Sequence, residues 1–215
     1  TGLGIEPKDR QKSTYEFLFE PDEAPAAIRQ TDTPNLCIVP ANADLASADL
    51  DLAAKSGRTM ALRQALRQPQ IDALDFDYVL VDCPPSLSLL TVNALVASDT
   101  VLIPLQAEFF ALEGLSQLML TVREVRQNGN PDLRLEGVVI TMFDGRNRLA
   151  QQVEEDVRKT LGDLVFRTRI PRNVRLSEAP SFGQPIITFD PTSRGATAYR
   201  GVAKEIHHGS AQRSR

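Results

Sequence analysis

The 215-residue chain has no tryptophan, and its aromatics are 9 Phe and 3 Tyr, so an aliphatic core of Val, Ile and Leu is expected. It has only 2 cysteines, Cys37 and Cys83, and they lack metal-ligand spacing. Both sit in or beside apolar runs, where Cys behaves as a small buried hydrophobe, and a reducing cytoplasmic compartment is expected. No apolar run approaches the roughly 18 residues of a membrane span, and the opening TGLGIEPKDR is no signal peptide. The adjacent His207 and His208 cannot share a helix face as metal ligands. No internal repeat or low-complexity segment is present, and no G-x-x-x-x-G-K-[ST] occurs anywhere. That last absence excludes a self-contained backbone cradle for nucleotide phosphates.

What is present is ordinary for a folded protein: 42% hydrophobic residues, 24% charged residues and 12 Gly. The length suits one α/β domain, expected over residues 1–206, followed by a polar tail at 207–215. Net charge is −4, but residues 134–215 carry 14 basic and 9 acidic side chains, leaving that half at +5 and the first 133 residues at −9. A basic half on an acidic chain hints at an anionic partner such as nucleic acid; a solvated mixed surface is the alternative.

Apolar runs cut off by Pro or by a loop alternate with amphipathic stretches. Residues 36–39, 78–81, 100–103, 137–142 and 164–166 read as parallel strands, and 185–188 as a last strand. Helices are expected at 13–19, about 58–67 with Met60, Leu62 and Leu66 inward, and 87–96. A further helix carries Leu115, Leu118, Val122 and Val125 on one face, and another spans 151–161 with Val153, Val157 and Leu161 along a stripe. In the latter, Glu154–Arg158 and Glu155–Lys159 have the favourable i,i+4 order. A final helix at 193–206 is expected to face Ala196, Tyr199, Val202, Ala203 and Ile206 inward. Asp44, Asp49 and Asp51 lack calcium-loop spacing and read as caps and solvated positions. The pattern predicts a mostly parallel central sheet with helices on both faces, and function on the loops after the strands.

The central stretch is DYVLVDCPPSLS at 77–88, an apolar run ending on Asp82 and stopped by Pro84 and Pro85. In a nucleotide-binding fold a carboxylate there holds Mg²⁺; its other reading is a cap on the next turn.

VDCPPSLSLLTVNAL (81–95), IPLQAEFFALEGLSQL (103–118), EGVVITMFDGR (136–146), IPRNVRLSEAPSFGQPI (170–186) and DPTSRGATAY (190–199) together resemble the ParA/Soj-type chromosome and plasmid partition ATPases, of the deviant-Walker P-loop class. The resemblance covers essentially the whole chain. It implies a P-loop NTPase-like fold, ATP and Mg²⁺ as cofactors, a homodimer formed on ATP, and binding to nonspecific DNA on the nucleoid. Hydrolysis would be stimulated by a ParB-type centromere-binding partner. Such proteins open with a strand, a glycine-rich phosphate loop and a helix, then a second strand carrying the Asp thought to position water; Thr1 to Gly4 resembles the segment directly after it. That first unit is absent here, so the expectation is a chain truncated before Thr1, with no catalytic residue of its own and unable to hydrolyse ATP alone.

By resemblance, Asp82 holds Mg²⁺ through water. Gln106, Glu108 and Glu113 lie in the segment that responds to the γ-phosphate and meets a second subunit; an ordinary strand-to-helix connection is the alternative. Thr141, Pro171 and Asn173 face the base, although Asn173 equally suits a turn. Arg146 and Arg175, with Arg148 and Arg172 beside them, are the DNA-binding set, against a reading as solvated arginines. Two rivals are a non-enzymatic ParA-like scaffold and a MinD-like membrane ATPase. The second wants an amphipathic C-terminal helix, whereas 207–215 has no large apolar residue.

Overall fold

A computed structural model describes residues 2–6 and 12–213. The chain divides into two units, one built from Leu3–Asp99 with Thr121–Leu133, the other from Thr100–Leu120 with Arg134–Arg215.

The first unit is mainly short helices: α1 (Thr14–Phe19), α2 (Ala24–Ala27), α3 (Ala48–Ala53), α4 (Ala61–Leu66), α5 (Pro69–Asp72) and α6 (Leu89–Ala97). Helix α1 starts in a capping box, in which Glu16 accepts the Ser13 N–H at 2.8 Å and Tyr15 N–H donates to Ser13 Oγ. Phe17, Leu18, Leu62, Ala65, Ile71 and Ala94 form its core. The buried Asn93 ties α6 to α4: its amide donates to the Arg58 carbonyl at 2.8 Å, and its Oδ1 accepts the Leu62 N–H. Asp49 accepts the Leu90 N–H at 3.0 Å and so caps α6, as the aspartate pattern suggests.

Two strand expectations fail here. The run at 36–39 does not lie in a parallel sheet; β1 (Arg29–Gln30) and β2 (Cys37–Ile38) form an antiparallel pair. Asn35 sits at φ 60°, a conformation Asn tolerates, and turns the chain back so that Thr31 N–H meets the Leu36 carbonyl. Residues 78–81 form no strand. Tyr78, Val79, Leu80 and Val81 are exposed, Leu80 at 86%, and neither described sheet includes them. An apolar run becomes a buried strand only where neighbours supply its ladder and cover its faces.

The second unit is a layered α/β arrangement. Strand β3 (Thr100–Gln106) pairs in parallel with β4 (Arg134–Thr141), with Gln106 opposite Thr141. Helix α7 (Ala111–Asn128), up to Leu120, and α8 (Arg148–Leu161) cover one face through Leu115, Val153 and Val157 against Ile103, Leu105, Val138 and Ile140. Helices α9 (Val174–Glu178), α10 (Ile186–Phe189) and α11 (Arg194–Arg213) follow. On the opposite face, Val202 and Ile206 of α11 pack with Leu102, Val139 and Phe166. Alternation along β4 thus buries both faces, as expected.

The sheet is smaller than predicted: among the described residues the parallel ladder is β3–β4 alone, extended by bridges from Val138 to Val165 and from Phe143 to Pro171. The strand expected at 164–166 shrinks to a bridge because a 3₁₀ turn occupies Gly162–Leu164, and Arg158 takes the Val165 and Phe166 carbonyls. The strand expected at 185–188 is the helical turn α10, which buries Ile186 and exposes Ile187. Helix α11 runs past Ile206 to Arg213, so part of the expected polar tail is helical. Its inward stripe is Ala198, Val202 and Ile206, with Ala196 also buried, while Tyr199 and Ala203 are exposed. Glu205 sets that rotation by accepting the Arg167 and Thr168 N–H groups at 2.9 and 2.8 Å. The Glu154–Arg158 pair forms at 2.8 Å, whereas Lys159 turns to Asp156 instead of Glu155.

Candidate functional site

Parallel strands deliver their loops at a common carboxyl end. In the second unit this brings Gln106 beside Thr141 by register, and the bridge from Phe143 to Pro171 sets the loop 143–148 against 170–175. Two backbone hydrogen bonds fix that contact: Phe143 N–H to the Ile170 carbonyl at 3.0 Å and Arg172 N–H to the Phe143 carbonyl at 3.1 Å. Arg146, Pro171, Arg172 and Asn173 therefore lie on two mutually paired loops, with Thr141 at the end of β4, Arg148 opening α8 and Arg175 in the first turn of α9.

Asn173 is the N-cap of α9, its Oδ1 accepting the Arg175 N–H at 2.9 Å, so the turn-forming role is present. Gln106, Glu108 and Glu113 are exposed along the exit from β3 into α7. Phe109 and Phe110 between them are exposed too, stacked edge to face at 5.1 Å.

The arginines are not bare. Arg146 is 92% exposed, yet its Nε and one terminal nitrogen grip both Asp144 oxygens at 3.0 and 2.9 Å. That guanidinium, together with the Arg146 N–H and the charge of Arg172, holds the Asp144 carboxyl at about 2. Arg175 pairs with Glu178 at 3.0 Å and Asp190 at 3.4 Å, and lies over the Phe189 ring. Arg148 and Arg172 are exposed.

Behind the loops, the buried Glu154 takes Arg158 and Arg169 on the same oxygen at 2.8 and 2.7 Å. Arg169 also covers the Phe143 ring at 5.0 Å. Met142, at the exit of β4, has φ 53°, a left-handed conformation rare outside Gly and Asn. Of these supports sequence reasoning found only the Glu154–Arg158 pair. The D-x-R spacing of Asp144 and Arg146 and the i,i+3 spacing of Arg175 and Glu178 were the available signals.

Asp82 belongs to the first unit, exposed in the irregular stretch before α6. Magnesium takes six oxygens, usually one or two carboxylates with waters and phosphates. Among the described residues no three His, Cys, Asp or Glu side chains gather to hold a metal, and no G-x-x-x-x-G-K-[ST] occurs in the sequence. Asp82 alone does not make a Mg²⁺–nucleotide site.

The family described as an AAA domain matches residues 1–135. The chain is 49% identical to the sporulation initiation inhibitor protein Soj of Bacillus subtilis (strain 168) over 96% of its length and 80% of that protein's. It is 48% identical to the chromosome partitioning protein ParA of Caulobacter vibrioides (strain NA1000 / CB15N), over 96% and 77% of the two chains. Among solved structures, it resembles cobyrinic acid a,c-diamide synthase from Mycobacterium smegmatis with bound ADP and magnesium: TM-score 0.78, 37% identity, 97% of this chain and 77% of that one. That likeness carries the P-loop NTPase-like α/β fold. Taken with the paired loops that end β4 and precede α9, these similarities place the chain in the ParA/Soj family of chromosome-partitioning ATPases.

Proposed function

We propose that the chain works in chromosome or plasmid partition on the cytoplasmic nucleoid, binding DNA without sequence preference through Arg146, Arg148, Arg172 and Arg175. The observation that carries this reading is that four exposed arginines sit on two paired loops and on the first turns of the helices that follow them, in a net-positive half of the chain. Exposed arginines suit phosphate neutralisation with counterion release, which needs no base-reading element. By the family resemblance Asp82 of the first unit would meet Mg²⁺ through water, and, in the second unit, Thr141, Pro171 and Asn173 would face a base. Gln106, Glu108 and Glu113 would respond to the γ-phosphate and meet a second copy, and a ParB-type protein would be the stimulating partner.

The test is fluorescence anisotropy at low salt with two duplexes of unrelated sequence. Arg146→Ala and Arg175→Ala are expected to weaken both equally, each flattening the slope of log K against log salt by about 1. Unchanged affinity would sink the assignment. Since no phosphate loop is present in the sequence, the chain by itself is expected to release no phosphate from ATP above a no-protein control. The same absence supports a second reading, a ParA-like scaffold without ATPase chemistry, for which added ATP leaves DNA affinity unchanged.

A further inference from the structure

We propose that Asp144 is an internal competitor for the DNA phosphates, occupying the edge of Arg146 that a phosphate would grip and so setting how tightly the loop pair binds DNA. The inference rests on the DNA-binding reading above and concerns the strength of that same site. Arg146 has its donors in a planar fork, and the face formed by Nε and one terminal nitrogen matches a carboxylate or a phosphate equally well. Asp144 fills that face with contacts of 3.0 and 2.9 Å, and it is itself anchored by the Arg146 N–H at 3.0 Å. Only the outer donors of Arg146 remain for a ligand.

Helix α9, directly after the second loop, repeats the arrangement. Glu178 takes the Arg175 terminal nitrogen at 3.0 Å and Asp190 faces its Nε at 3.4 Å. Arg146 and Arg175 are thus each offset by a carboxylate within two to fifteen positions in the chain. The charge of Arg172 also falls on Asp144, so this one carboxylate offsets two members of the set. Because Arg146 is almost wholly exposed, the pair is held by little more than a surface salt bridge, weak enough for a polyanion to displace. Binding then exchanges one anion for another on the same guanidinium. The surface is held below its full affinity, which suits a protein that must release DNA as well as bind it.

The full chain is compared with Asp144→Asn, which keeps the size and removes the charge, by anisotropy on a short labelled duplex of arbitrary sequence. Asp144→Asn is expected to tighten binding roughly two- to fivefold at low salt, the size of one exposed charge contact. The gain should shrink as salt is added. Glu178→Gln, in α9, is expected to tighten binding by less, because Asp190 still faces Arg175. Weaker binding by Asp144→Asn would show that the carboxylate holds Arg146 in its working position, and unchanged binding that it does not compete; either overturns the proposal. If Arg146→Ala weakens binding while Asp144→Asn does not tighten it, competition alone fails. If Arg146→Ala has no effect, the DNA-binding reading fails with it.

Discussion

Met142 and Glu154 show what individual residues contribute to the loop pair. Met142 holds φ 53° immediately after the last residue of β4. The left-handed conformation costs an L-residue about 1–2 kcal/mol, and a β-branched side chain more. Met142→Gly is expected to leave stability unchanged or raise it by about 0.5 kcal/mol, after the larger backbone entropy of Gly in the unfolded chain is subtracted. Met142→Val should lose at least about 1 kcal/mol. Urea midpoints moving in the same direction for both variants would refute the strain. Glu154 is buried and holds two arginines on one oxygen. Breaking a fully buried pair costs about 3–5 kcal/mol; because Arg158 and Arg169 keep partial solvent access, Glu154→Ala should cost about 2–3 kcal/mol, read from the same denaturation curves.

Among the elements, α11 and β4 are held by close approach and by one acceptor. A Cβ on Gly137 of β4 would come within 2.4 Å of the Phe166 ring and 2.7 Å of the Leu164 carbonyl, so Gly137→Ala should destabilise by about 1–3 kcal/mol through overpacking. Glu205 of α11 is the acceptor for the stretch 167–168. Burial pushes its carboxyl up, but hydrogen bonds from Thr168 and the two N–H groups outweigh that and hold it below the ordinary range. Glu16 and Asp144 are lowered as well. A carboxyl lowered on folding stabilises above its unfolded pKa of about 4, and that contribution disappears as pH falls. Stability should therefore drop between about pH 4.5 and the Asp144 value of about 2, with a shallower drop in Glu205→Gln. A pH-independent urea midpoint across that window would contradict the assignment. The helices α7 and α8 were legible in the sequence because their period agrees with the closing Gly129 and Gly162, whereas β3 and β4 were found but misbounded: β3 runs through Pro104 to Gln106, and β4 starts at Arg134 and carries Gly137 inside it. The rotation of α11 was not, since Tyr199 and Ala203 fit the same period and only the Glu205 hydrogen bonds choose between the two stripes.

At the scale of the molecule, the loops after β3 and β4 were readable from the chain itself, because local apolar runs name their own strands. The surroundings of Asp82 were not, because the fate of 78–81 depends on neighbours that the run does not encode. Tyr78, Val79, Leu80 and Val81 form a contiguous exposed apolar stretch without strand structure, and Leu74, Phe76 and Leu87 flank it, also exposed. An open apolar segment of high β-propensity pairs readily with other chains, so the protein should self-associate as its concentration rises. Leu80→Lys places a charge at the most exposed of these side chains. Because Leu80 buries little, its replacement should change the urea midpoint by no more than about 0.5 kcal/mol in stability while raising the concentration at which light scattering first appears. A large loss of stability would mean that Leu80 is packed in solution, and unaltered scattering would move the association to another surface.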